Sequence, residues 1–150
     1  MRLAEIGRRL AIELRSADLV AAGLLSAYYP APSKVNTDGA IALVFTRLGA
    51  APAWSEQSWQ HEYLVRLMVP ARGFQAAEIN ALEPLIEPIW DHFRPRSLAS
   101  QLRITGEAGE VDHCYPARYE ASQTVEYAGV PFTVIDIFFD ITAQRFAGDA

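Results

Sequence analysis

Cysteine is nearly absent from this chain of 150 residues. The single one, Cys114, excludes an internal disulfide and a multi-cysteine zinc site, and it fits a reducing compartment. Also missing is the uninterrupted apolar stretch that a signal peptide or membrane span requires. Residues 1–25 are interrupted by Glu5, Arg8, Arg9, Glu13, Arg15 and Asp18, so the expectation is a soluble, cytoplasmic chain with no membrane partner. Basic clusters are lacking too. Thirteen basic residues stand against 18 acidic ones, a net charge of −5, which argues against a general nucleic-acid binder because phosphate neutralisation needs concentrated Lys and Arg. No glycine-rich phosphate loop, dinucleotide fingerprint or zinc-protease helix occurs, nor any internal repeat, low-complexity tract or linker.

What is present is an ordinary globular composition, 51% hydrophobic and 21% charged, enough for one domain that folds without disulfide or metal. The closing third is the most strongly patterned part. Two β-patterned stretches flank Tyr127-Ala128-Gly129-Val130-Pro131. In the second, residues 132–141, Ile135, Ile137, Phe139 and Ile141 fall on one face and Asp136, Asp140 and Thr142 on the other, toward water or a neighbour.

Elsewhere, Leu3, Ile6, Leu10 and Leu14 have helical spacing, with Arg8, Arg9 and Arg15 turned outward. Ser16 and Asp18 are N-cap candidates for a second short helix over residues 19–25. Tyr28-Tyr29-Pro30-Ala31-Pro32 must be extended. A turn at Asn36-Thr37-Asp38-Gly39 leads into a short strand from Ala40 to Thr46. Residues 47–58 read as an exposed loop holding Trp54, and residues 59–69 alternate as a strand. Residues 75–93 are helical by pattern, with Ile79, Leu82, Ile86, Ile89, Trp90 and Phe93 on one face. Pro84 and Pro88 predict a break and restart near Glu83. After a short segment at residues 98–105 and a turn at residues 106–109, the two closing strands follow. The order predicts an α+β fold: a mostly antiparallel sheet with helices packed on one face, in a single domain over residues 1–150.

Chemistry-bearing constellations are scarce in the sequence. His61 reads as a strand residue and His92 as lying in the exposed last turn of a helix, neither at a ligand spacing. Asp112-His113-Cys114 resembles part of a nucleophile–base arrangement. Strand neighbours point to opposite faces, however, so the imidazole and the thiol diverge and Cys114 reads as a small buried residue. Asp136 and Asp140 lie about 13 Å apart along their strand, too far to share a proton or a metal ion. The expectation is therefore no catalytic residue, no cofactor and no metal. An enzyme or ligand-binding domain would have to draw on His61, His113, Cys114 and Tyr119. The aromatics Tyr28, Tyr29, Trp54, Trp59 and Phe146 are instead candidates for a protein–protein interface, since Trp and Tyr bury large area at low rotamer cost.

In the order of these elements the chain resembles the tail terminator, or tail-completion, proteins of long-tailed bacteriophages, including lambda-like minor tail proteins of the head-proximal tail end. The resemblance runs through the N-terminal helices, the Tyr29-Pro30 corner, the strand at residues 59–69, the helix at residues 77–93 and the Tyr127-Ala128-Gly129 turn into residues 134–141. It departs in the two helix prolines and in Ala50-Ala51-Pro52-Ala53-Trp54, which stands where the family has a glycine-rich stretch. The resemblance implies a structural virion protein at the tail–neck junction, assembled in the host cytoplasm. A homohexameric ring would cap the tail tube, stop its polymerisation and meet the head–tail connector, while genomic DNA passes through without specific binding. Another neck component, an adaptor or head-completion protein, is the alternative. Residues 47–58 and the C-terminal residues 145–150 are expected to be flexible until neighbours order them.

Overall fold

Alternating apolar residues build the long strands, and helically spaced apolar residues build the layer that covers them. The computed structural model describes residues 3–46, 53–54, 58–103, 111–120 and 123–144. In chain order these form α1 (Leu3–Leu14), α2 (Ala17–Ala22), β1 (Leu24–Tyr28), β2 (Ala40–Thr46), β3 (Ala53–Trp54), β4 (Ser58–Pro70), α3 (Gln75–Leu82), α4 (Ile86–His92), β5 (Val111–Tyr119), β6 (Gln123–Tyr127) and β7 (Val130–Gln144). The strands make one sheet in the order β1-β2-β4-β7-β5, with β3 added to β4 and β6 to β7. Among the described residues only the β1–β2 pair is parallel. The architecture is thus α+β, with a mostly antiparallel sheet and its helices on one face.

The centre of the sheet is the β4–β7 pair, in register from Ser58↔Gln144 to Pro70↔Phe132. On the inner face Ile135, Ile137, Phe139 and Ile141 lie beside Tyr63, Val65, Leu67 and Val69, and α1 and α4 press Leu10, Leu14, Ile89 and Phe93 onto them. On the opposite face a smaller cluster, Ile41, Leu43, Met68, Phe132 and Val134, is covered by Ala31, Val35, Val125 and Tyr127. The Tyr127 hydroxyl donates to the Pro32 carbonyl and pins that cover in place.

The proline-containing helix breaks where the sequence predicts. α3 stops at Leu82, a single 3-10 turn at Glu83–Leu85 takes up Pro84, and α4 resumes at Ile86. Leu82, Ile89 and Phe93 are buried; Ile79, Ile86 and Trp90 are half-buried. The buried Glu78 carboxylate accepts from the backbone N–H groups of Arg72 (2.7 Å) and Phe74 (3.3 Å) and from the Thr133 hydroxyl (2.8 Å). These bonds, led by that from Arg72, hold its pKa below the usual carboxylate range and satisfy amides at the start of α3. Among the described residues no helix is long and apolar enough to cross a membrane.

Four sequence expectations need correction. The second helix does not reach Leu25. Gly23 ends it in the left-handed region (φ 119°), a conformation other residues adopt only at a cost, and Leu24 starts β1. Nor does Ser16 cap that helix with its side chain, because its hydroxyl donates to the Glu13 carbonyl. The predicted loop at residues 47–58 contains strand β3, paired with Trp59 and Gln60, and its end, Ser58, opens β4. Residues 47–52 and 55–57 lie outside the described residues, as do the predicted turn at 106–109 and the C-terminal 145–150. Finally, three strands close the chain rather than two. β7 takes β6 along its first part and β5 along its second. Pro116 sits in β5, on an edge where its missing N–H costs no central ladder bond.

Candidate interaction surface and a buried histidine network

The interface candidates separate on folding. Tyr28 ends β1 on the sheet face away from the helices and remains 41% exposed. Tyr29 turns the other way and packs half-buried against the main core. Its ring lies where Gly7 of α1 has no side chain, since a Cβ there would come within 2.6 Å of the ring. Tyr29 therefore serves this subunit's own packing and is withdrawn from the exposed set. Trp54 and Trp59 are direct partners across the β3–β4 pair; their side chains, like all of Phe146, lie outside the described residues.

A larger surface, which the sequence reading missed, is the sheet face opposite the helices. Among the described residues no helix covers it. Toward the β5 side, period-two geometry brings Glu62, Leu64 and Arg66 of β4, Asp136, Phe138 and Asp140 of β7, and His113, Tyr115 and Arg118 of β5 onto this face. Arg66 grips Asp136 through two hydrogen bonds, 2.8 and 3.1 Å, and this pairing lets Asp136 be buried where the alternation had predicted a solvent position. Arg118 lies 3.8 Å over the Phe138 ring and reaches Glu62 at 3.4 Å. His113 stacks on Tyr115, centroids 4.8 Å apart, and hydrogen-bonds Thr142 at 3.0 Å. The face is a sheet of apolar and aromatic groups under a layer of paired charges.

The second group missed by sequence reading surrounds His92. Its side chain is only 8% exposed, not the solvated helix end that its position suggested. Nε2 faces Glu13 at 2.9 Å and Nδ1 faces Asp18 at 2.7 Å, while Arg103 holds the other oxygen of Glu13 at 2.8 Å. The carboxylate of Glu13, 2% exposed, is thus paired twice, and α1, α2, α4 and the chain at residue 103 are tied together. Bonding to Glu13 first, then to Asp18, raises the His92 pKa against the opposing effect of burial.

Ser16, His92 and Asp18 superficially outline a hydroxyl–imidazole–carboxylate triad, with Ser16 Oγ 3.3 Å from Nε2. Such a triad needs a neutral imidazole with a free lone pair toward the hydroxyl. Here both ring nitrogens face carboxylates, so the imidazolium donates from both and has no lone pair to offer. The hydroxyl, moreover, already donates to the Glu13 carbonyl at 2.5 Å. The arrangement is an electrostatic clamp.

The remaining chemical candidates stay apart. Cys114 is fully buried on the core face, and burial pushes its thiol pKa well up, whereas His113 lies on the opposite face. His61 and Cys114 both lie opposite Ile141, on strands flanking β7, so about 9–10 Å separates their backbones. Burial also lowers the His61 pKa. Tyr119 packs edge-on against Trp90, centroids 5.9 Å apart. Native Cys114 is expected to resist a thiol reagent such as DTNB and to titrate only after denaturation; rapid reaction of the folded protein would contradict this burial. Among the described residues no group of three or more His, Cys, Asp or Glu side chains is arranged to hold a metal ion. No protein-family model and no curated protein matches the chain.

Proposed function

We propose that this chain is a phage tail terminator: a structural subunit that closes into a hexameric ring, caps the tail tube, stops its growth and offers a surface to the head–tail connector. The observation that carries the reading is the sheet face without a helix. Its Arg66, Arg118, Tyr115 and Phe138 are of the residue types enriched in protein interfaces. A subunit that must touch two neighbours, a tube and a connector needs several such surfaces and no catalytic centre. The element order on which the resemblance rests also fits the strands and the broken helix described above. A net charge of −5 per subunit, repeated around a ring, suits a channel along which DNA slides without sticking.

Sedimentation velocity across a concentration series tests the assembly step. A species of six subunit masses growing at the expense of monomer is the expected result. A chain that stays monomeric throughout, at low and moderate salt, would overturn the reading.

A further inference from the structure

The segment covering the core changes charge along its length. Glu83, Glu87 and Asp91 recur every four residues, all exposed, and none has an ion-pair partner among the described residues. Just beyond α4 the chain turns through Arg94-Pro95-Arg96. Here Arg94, Arg96, Ser97, Leu98 and Arg103 line an open cleft of about 570 Å3. Arg103 is committed to Glu13, and Asp18, also on the cleft wall, is committed to His92. The side chains of Arg94 and Arg96 have no ion-pair partner among the described residues, although the chain as a whole is acidic. Among the described lining residues the one uncommitted carboxylate is Asp91.

Unpaired arginines side by side repel one another and are strong bidentate receptors for carboxylates. A free inorganic anion would fill only a small part of this volume. Nucleic acid is disfavoured by the acidic surface around the cleft and by Asp91 within it. A polypeptide surface with two carboxylates one helical turn apart fits better, with Leu98, 54% exposed, adding apolar contact. Such a surface exists on this chain, at Glu83 in the 3-10 turn and Glu87 in α4, four residues further on.

We propose that the Arg94–Arg96 cleft of one copy receives the Glu83–Glu87 face of a second copy. This rests on the ring-forming reading above and names one of its subunit contacts. The two surfaces differ, so the contact is head-to-tail, the kind that closes into a ring when its rotation permits.

Sedimentation at low salt, comparing wild type with R94E/R96E and E83R/E87R, tests it. All the substituted residues are exposed, so both variants are expected to melt close to wild type. Each variant alone should associate at least about tenfold more weakly than wild type, and an equimolar mixture should recover assembly, because each variant then offers the surface the other lacks. Wild-type-like association of either variant alone, or a mixture no better than its components, would overturn this contact while leaving the ring reading intact. A wild type that never associates would overturn both.

Discussion

Replacing His92 with alanine is expected to destabilise the protein by about 3 kcal/mol, as is usual when one member of a buried charged pair is removed. Glu13 would keep Arg103 but lose the imidazolium at 2.9 Å, and Asp18 would lose its partner at 2.7 Å. Calorimetry should show a fall in melting temperature on the order of 10 °C. The sign of the pH dependence follows from the direction of the shift. The folded-state pKa lies above the unfolded value, so the stabilisation is fully present below the unfolded pKa, about 6.5, and is lost as pH rises through the folded one. Wild-type stability should therefore fall as pH rises above about 6.5, and His92→Gln should remove that part of the slope. Equal slopes for wild type and H92Q would show that the clamp is not charged as described.

The second large effect is at Phe139. This side chain is fully buried in the centre of β7, opposite Tyr63 of β4 and Pro116 of β5, and meets Phe93 edge-on with centroids 5.0 Å apart. Phe139→Ala should cost about 4 kcal/mol, because the cavity lies between sheet and helix layer where neither can collapse fully. Its neighbour Phe138 points to the face opposite the helices, with the Arg118 guanidinium over its ring. Phe138→Ala should therefore cost distinctly less in the free subunit. Urea denaturation of both variants provides the comparison, and equal losses would contradict the two-sided account of the sheet.

Much of this fold was legible because the informative residues are neighbours in sequence. The alternation in β4 and β7 identifies the core face of each strand, and Pro84 marks the turn between α3 and α4. The second helix was correctly read over residues 19–22 but carried too far, through 23–25, because a short apolar run fits helix and strand equally; pairing of β1 with β2, some 16 residues further on, decides it. The clamp was invisible for the same reason in stronger form. His92 lies 74 residues from Asp18 and 79 from Glu13, and no local pattern links them. Likewise Asp136 read as solvated because its partner, Arg66, comes from another strand 70 residues away. Among the interface candidates, the half-burial of Tyr29 depends on Gly7 of α1, a contact that sequence spacing does not encode.

The most direct test of the central claim is negative-stain electron microscopy of the purified chain over a range of concentrations. The account predicts closed six-fold rings with an open channel. Compact monomers at every concentration, or open filaments without rings, would contradict it.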